Sequence, residues 1–409
     1  MFRFDYIVGG VTVQRPVWRL LCVTLLSVPL LSGCWDRLEI EERATVLGIA
    51  IDPLPAADKL QSITGTKTGG QGYRVSAQLA IPGRIPLGPA TGGGGTTDRP
   101  VWVLSATGKT VDDAMNRLQE NLADKIFLGQ MRIVIINEQL AKTSGMRSLQ
   151  DYLRRNAETR RLIWLMISNG EARQALQAAP KLERVPTLYL VGIMDHAVAL
   201  GKIPDVFLGN YWAAMSSLGR DPQLPLISVV GDRIDLNGLA IFHDDRMVAN
   251  LNALEVAVLM ELTNHKLAGY GMAVPLPHDP SHSVILRGML RHTVTKLKLV
   301  RNRPVFNVYV FIDLNIEEIT ATRGKLSDHL LQELSAESAR ILKHAQTRLI
   351  HKMKRLHVDS VGYGEYVRAQ YPSYFAQFET RGGWNKEFQN VVIHLHDHCN
   401  VVRSGLTTH

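Results

Sequence analysis

Cys34 sets the terms on which this chain folds. It closes Leu31-Ser32-Gly33-Cys34, directly after an apolar run over residues 20–30, with Arg15 and Arg19 ahead of that run. The run is too short for a mature membrane helix, which needs about 20 residues. It has the length and charged flank of an export signal. Small residues leading into a cysteine resemble a lipoprotein processing site. There the Cys34 thiol takes a diacylglyceryl group, cleavage makes Cys34 the first residue, and its amine is open to further acylation. The competing reading is a plain secretory signal with an incidental cysteine. On the lipoprotein reading, residues 1–33 are a signal peptide and Cys22 leaves with them. Cys34 is spent on lipid, so Cys399, the last of the three cysteines, has no intramolecular partner. The body must hold itself together by burying apolar surface, without disulfides.

The chain beyond Cys34 is long enough for two or three domains with cores of their own. A hydrophobic fraction of 45% and a charged fraction of 21% fit a globular body of that kind. No later segment reaches transmembrane length, so the lipid on Cys34 is the expected membrane attachment. The formal net charge of +8 favours anionic headgroups as neighbours. Export and the lack of an aromatic-basic repeat argue against a nucleic-acid partner.

Periodicity predicts strands over 44–52, 73–81 and 101–106, then a helix over 110–123. A strand over 131–137, a helix over 148–155, a strand over 161–168 and a helix from about 170 continue the alternation. Residues 83–99, which include Gly92-Gly93-Gly94-Gly95, read as a loop that lacks the means to pack. Residues 180–235 give only short periodic pieces among Pro and Gly. A hairpin of 235–242 and 246–250, joined through His243-Asp244-Asp245, precedes a helix over 253–262. Strands are expected over 284–290, 294–300 and 305–316, with turns at Arg291-His292 and Asn302-Arg303-Pro304. A long helix over 326–356 and a final strand over 391–399 complete the chain.

This pattern predicts an α+β fold: a body of mixed and antiparallel sheets with packed helices, ending in a domain that lays a long helix on a sheet. The expected divisions are an N-terminal α/β domain over 34–205, a middle domain over 206–283 and a C-terminal α+β domain over 284–409.

Several residues invite a chemical reading. Ala106-Thr107-Gly108-Lys109-Thr110 looks like the end of a phosphate loop, but a Walker loop needs glycine five residues before Gly108, where Val103 stands. A helix N-cap at Thr107 or Thr110 explains the same residues. His394, His396 and His398 alternate and so share one face of a strand, with Asp397 and Cys399 on the other. The row suggests zinc or copper, yet nothing locates the remaining ligands; a solvent-facing row on an edge strand is the plainer reading. Glu41-Glu42, Asp244-Asp245 and Glu317-Glu318 are adjacent carboxylates without the facing geometry that acid–base pairs need. No nucleophile elbow is present. No catalytic residue, metal site or cofactor is assigned, and the chain is not read as an enzyme. Arg340, Lys343, Arg348, Lys352, Lys354 and Arg355 give the long helix a basic face, either solvated or turned to anionic headgroups or an acidic partner loop.

Ordered along the whole chain are further short segments. Gly33-Cys34-Trp35-Asp36-Arg37 and Glu39-Ile40 are followed by Gly48-Ile49-Ala50-Ile51-Asp52. Residues 102–110, 129–135 and 155–160 come next, then residues 236–242, Gly362-Tyr363-Gly364, Tyr371-Pro372 and Trp384. Together they resemble the Ger(x)C family, the C-subunit lipoproteins of spore germinant receptors. The His-rich terminal strand and the long segment ahead of the hydrophobic run depart from that pattern. The resemblance implies a three-domain α+β lipoprotein, non-enzymatic, held through acylated Cys34 on the outer face of a spore inner membrane. It also implies assembly with membrane-embedded A and B subunits to sense nutrients. Two other functions stay open at this point: a lipoprotein that captures a nutrient for a permease, and an exported lipoprotein enzyme.

Overall fold

Near-continuous apolar runs such as IVIIN and WLMIS suit strands covered on both faces, and in the computed structural model they lie inside a large sheet. The structure describes residues 7–8, 11–12, 42–54, 72–83, 100–178, 183–277, 279–320, 327–378 and 382–402. Cys34, Trp35-Asp36-Arg37, nearly all of the signal segment and the glycine-rich stretch 84–99 lie outside them. In the 1–43 unit, Ile7–Val8 (β1) pairs antiparallel with Val11–Thr12 (β2).

The larger unit begins with Arg43–Pro53 (β3), Tyr73–Ala80 (β4), Val101–Gly108 (β5), Lys125–Phe127 (β6) and Ile133–Asn137 (β7). Trp164–Ser168 (β8), Gln223–Val230 (β9), Arg233–His243 (β10) and Arg246–Leu251 (β11) come after them. All belong to one nine-stranded sheet, ordered β11-β10-β9-β8-β7-β3-β4-β5, with β6 on β3. The central pairs β3–β7, β7–β8 and β8–β9 are parallel. Parallel neighbours need long crossovers, and helices supply them. Val111–Glu120 and Met146–Arg155 bury Met115, Leu118, Leu149 and Leu153 with the core on one face, while Pro186–Ala199 buries Leu190 and Met194 with the core on the other.

Gly271–Leu276 (β12), Asp279–Val300 (β13), Arg303–Ile319 (β14) and Val392–Val402 (β15) form a second sheet in that order. β15 runs parallel to β14 because the helix Asp328–Leu356 carries the chain back between them. Leu342, Leu349 and Met353 on that helix are buried in the same core as Phe306, Val308 and Val310 of β14. Ser327 opens the helix, its Oγ accepting from the Leu330 N–H at 3.1 Å. His357 ends it in the left-handed region, at φ 56°. This is the expected α+β architecture, with the long helix on a sheet.

Two expectations are corrected. The strands read over 284–290 and 294–300 are one strand, β13, and there is no turn at Arg291-His292: Arg291 pairs with Ile312 and is buried. The reversal instead uses Arg301 and Asn302, both at positive φ, between Val300 and Arg303. Two residues at positive φ match the twist of a tight hairpin. The stretch 180–235 also holds more than short pieces. It contains the helices Pro186–Ala199 and Leu208–Ser216 and the strand β9. The division drawn at 205/206 falls between β8 and β9 of one hydrogen-bonded sheet, and that at 283/284 falls inside β13.

Candidate functional site

The sequence segments singled out above have structural tasks. Asp52, at the end of β3, accepts from the Ala172 and Arg173 N–H groups at 2.7 and 3.0 Å, and from Asn137 Nδ2 at 3.1 Å. Glu158, in the segment 155–160, accepts from the Leu128 N–H at 2.8 Å. Thr110 caps the helix Val111–Glu120, its Oγ1 accepting from the Asp113 N–H at 3.0 Å. A Cβ on Gly108 would lie 2.4 Å from the Ala114 nitrogen, so this glycine lets the helix start pack onto β5. The would-be phosphate loop is thus a helix start.

The C-terminal segments converge. After the long helix the chain runs through Val358, Asp359 and Ser360, all fully buried. The Asp359 carboxylate accepts from the Gly362 N–H at 2.8 Å, the Gly364 N–H at 2.9 Å and Trp384 Nε1 at 2.8 Å. Its own N–H donates to Asp221 Oδ2 at 2.7 Å, and the Asp221 N–H returns to the Asp359 carbonyl at 2.9 Å. Asn385 Nδ2 donates to Asp221 at 2.5 Å and to the His357 carbonyl at 2.8 Å. Backbones meet here as well: a Cβ on Gly364 would lie 2.6 Å from the Gly219 Cα and 2.5 Å from Trp384 Nε1. The aromatic rings of Phe375, Phe378 and Phe388 surround the Trp384 indole.

This seam joins the lead-in to β9 to the segment that comes after the long helix. Burial pushes the carboxyls of Asp359 and Asp221 up to about 6, although the donors around each favour the charged form. Loss of solvent outweighs the hydrogen bonds in both. Both carboxylates are occupied by donors from the protein, which is the arrangement of a brace.

A second cluster ties the middle of the chain to the C-terminal sheet. Gln346, on the long helix, donates to Asp397 of β15 at 2.8 Å and to Glu261 at 3.3 Å. Thr293 Oγ1 donates to the Glu261 carbonyl at 2.6 Å. Arg291 Nε reaches the His265 carbonyl and Nη1 the Ala257 carbonyl at 3.3 Å. Burial raises Glu261 to about 7, with Arg291 opposing that rise electrostatically. Cys399 faces the same interior, where burial lifts its thiol to about 12.

His394, His396 and His398 occupy the opposite face of β15 and are exposed, with Asp397 and Cys399 turned toward the helix. Among the described residues, no three His, Cys, Asp or Glu side chains come together as a metal site. Of the adjacent carboxylates, Asp244-Asp245 forms the β10–β11 turn, and Glu317 pairs with Arg287 at 3.2 Å. The basic helix face is partly structural. Lys352 pairs with Glu255 at 2.8 Å, Lys354 donates to the Val391 carbonyl at 2.6 Å, and Arg340 pairs with Glu337. Sequence reasoning missed Asp221, Asp359, Glu261 and Arg291. For Asp359 one signal was present: Gly362 and Gly364 stand close enough to donate two backbone N–H groups to a single carboxylate. Beside the seam lies a cleft of about 650 Å³, lined in part by Asp205, Tyr211, Arg220 and His265.

Comparison with known proteins gives two family profiles in tandem. The Spore germination protein N-terminal domain matches residues 36–229, and the Spore germination B3/GerAC like C-terminal domain matches residues 237–405. The chain is 32% identical to YfkR of Bacillus subtilis (strain 168) over 244 residues, which is 58% of each protein. It is 23% identical to the spore germination protein GerQC of Bacillus cereus over 336 residues, 82% of this chain and 90% of that one. The crystal structure of the GerBC protein superposes with a TM-score of 0.55 at 15% identity, covering 82% of this chain and 96% of GerBC. That last likeness is one of fold.

Proposed function

Because this chain belongs to the Ger(x)C family of spore germination proteins, we propose that it is the lipid-anchored subunit of a nutrient germinant receptor. The observation that carries this reading is the tandem match, in order, over residues 36–405. Its work is assembly and signal coupling beside membrane-embedded A and B subunits, without covalent chemistry of its own. Cys34 is the lipid attachment point, on the outer face of the membrane. Among the described residues no helix is long and apolar enough to cross a bilayer. Attachment through acyl chains then supplies the proximity that makes weak contacts with partner subunits sufficient. The buried seam at Asp221 and Asp359 suits such a part, since a stiff body transmits a shift at one surface to another.

The test is Cys34→Ala in spores, read by membrane fractionation and by the response to nutrient. The variant is expected to leave the membrane fraction and to lower receptor abundance or response. A variant that stays membrane-bound and germinates normally would defeat the anchor. Crosslinking from spore membranes, with partners identified by mass, tests the complex: recovery of two multi-spanning proteins is expected. The second reading, capture of a nutrient for a permease, is favoured only by the cleft beside Asp221. Calorimetry of the chain against amino acids and sugars decides it, saturable binding being the supporting result.

A further inference from the structure

We propose that the open face of the four-stranded C-terminal sheet is a second membrane contact, lying flat on an anionic bilayer surface. One face of β14 is covered by the long helix; the other carries Asn307, Tyr309 and Phe311. The register aligns these with two neighbours. His292, Phe311 and His398 form one row across three strands, Val294, Tyr309 and His396 the next, and Lys296, Asn307 and His394 the third.

The rows are organised. The His396 ring stacks on Tyr309 with centroids 4.6 Å apart and planes 14° apart, and His398 stacks on Phe311 at 5.0 Å and 12°. Lys296 Nζ sits 5.3 Å from the Tyr309 centroid. Groups that carry or can gain positive charge are therefore held on aromatic faces, the arrangement that cation–π attraction favours. His396 Nε2 also lies 3.3 Å from Asn307 Oδ1.

Three properties of the face point to a bilayer. Its cations gather at the hairpin end, where Lys296, Lys298 and Arg303 lie beside the four histidines, while Glu318 and the Arg287–Glu317 pair occupy the far end of the face. Its carboxylate at the centre, Asp313, already accepts from Asn400 Nδ2 at 3.0 Å. It presents apolar side chains among those charges, with Leu290, Val300, Phe311 and Val392 all exposed. It is also a sheet surface, broad enough to meet a plane. Basic side chains beside aromatic and aliphatic ones are what the headgroup layer stabilises. The rival basic surface, on the long helix, spends Lys352, Lys354 and Arg340 on contacts within the protein. This contact goes beyond the Cys34 anchor and does not depend on it.

The experiment uses the full chain carrying Cys34→Ala, so that no acyl group contributes. It is mixed with vesicles of phosphatidylcholine alone or with phosphatidylglycerol, and separated by flotation at low and high salt. The chain is expected to float with phosphatidylglycerol vesicles at low salt, and much less at high salt or with phosphatidylcholine. Lys296→Glu with Lys298→Glu should weaken binding about tenfold or more, since each lysine near an anionic surface contributes about fivefold. Arg348→Glu with Arg355→Glu, on exposed positions of the long helix, should change it little. Thermal melts of both pairs check that the fold is kept. Equal binding by wild type and the sheet pair, or loss only in the helix pair, overturns the proposal. So does capture of polyglutamate without any binding to vesicles, which would assign the face to an acidic protein segment.

Discussion

Asp221 and Asp359 hold each other reciprocally although 138 residues separate them: the Asp359 N–H donates to the Asp221 carboxylate, and the Asp221 N–H to the Asp359 carbonyl. Two carboxyl side chains are thereby buried together, and among the described residues no lysine or arginine donates to either. Backbone N–H groups, the Trp384 indole and the Asn385 amide take the place a lysine or arginine would fill. Such a joint holds only in one geometry, because each donor belongs to a different stretch of chain. That makes it a determinant of how the segment after the long helix sits on the sheet body.

Replacing Trp384 by Phe keeps most of the buried ring and removes the indole N–H that donates to Asp359. Leaving a buried acceptor short of a donor costs about 1–3 kcal/mol, more when it is charged. Urea denaturation should show a loss in that range. A loss below about 0.5 kcal/mol would mean that the Trp384 hydrogen bond contributes nothing to the seam.

The seam also predicts a pH dependence. Burial raises Asp221 and Asp359 from 3.8 to about 6. A carboxyl raised in the fold binds its proton more tightly there than in the unfolded chain. Between the ordinary and raised values the folded state therefore holds more protons, so stability falls as pH rises through that window and returns on acidification. For Asp359 the difference corresponds to roughly 3 kcal/mol. Stability of wild type relative to Asp359→Asn should increase from about pH 7.5 to about pH 5. A difference that is flat or of opposite sign would contradict the burial argument.

Much of the architecture is legible in residues taken locally. Alternation along β14 and β15 reports one covered and one open face, so the outward row His394, His396 and His398 is readable from spacing alone. Thr110 as a helix cap is readable from its place before an amphipathic stretch. The features that stayed hidden did so for physical reasons. Pro186–Ala199 carries apolar residues such as Leu188 on its exposed side as well as on its buried one, so no stripe marks it as a helix. Arg291 reads as a turn because a charge is rarely enclosed, and only the carbonyls of His265 and Ala257 and the charge on Glu261 explain it. The Asp221–Asp359 joint depends on a contact that no local pattern encodes.

Glycines at two sites should respond in opposite directions to alanine. A Cβ at Gly364 meets the Gly219 backbone and the Trp384 indole at 2.5–2.7 Å. Neither can yield without opening the seam, so Gly364→Ala should cost about 2 kcal/mol or more. Gly192 lies within the helix Pro186–Ala199, with no heavy atom inside 4 Å of an added Cβ. Gly192→Ala should stabilise by about 0.5–1 kcal/mol through helix propensity. Thermal melts of the two variants check both signs together.

The Arg291 cluster yields a prediction that separates charge from packing. Arg291 is enclosed, donates to two carbonyls and lowers the cost of keeping Glu261 ionised. Arg291→Met fills similar space, yet leaves those carbonyls and Glu261 without their cation. Leaving the two buried carbonyls without their donor costs about 1–3 kcal/mol each, and the buried Glu261 carboxyl loses its electrostatic support. Glu261→Gln alone removes the charge while keeping a polar side chain near Gln346, and should cost less. With both changes made, the Glu261 charge is no longer stranded, so the double variant should be more stable than the sum of the single losses predicts. A double-mutant cycle by urea denaturation measures that coupling, expected at about 1–3 kcal/mol. Additive losses would show that Arg291 stabilises β13 through its carbonyl contacts alone, with Glu261 a bystander.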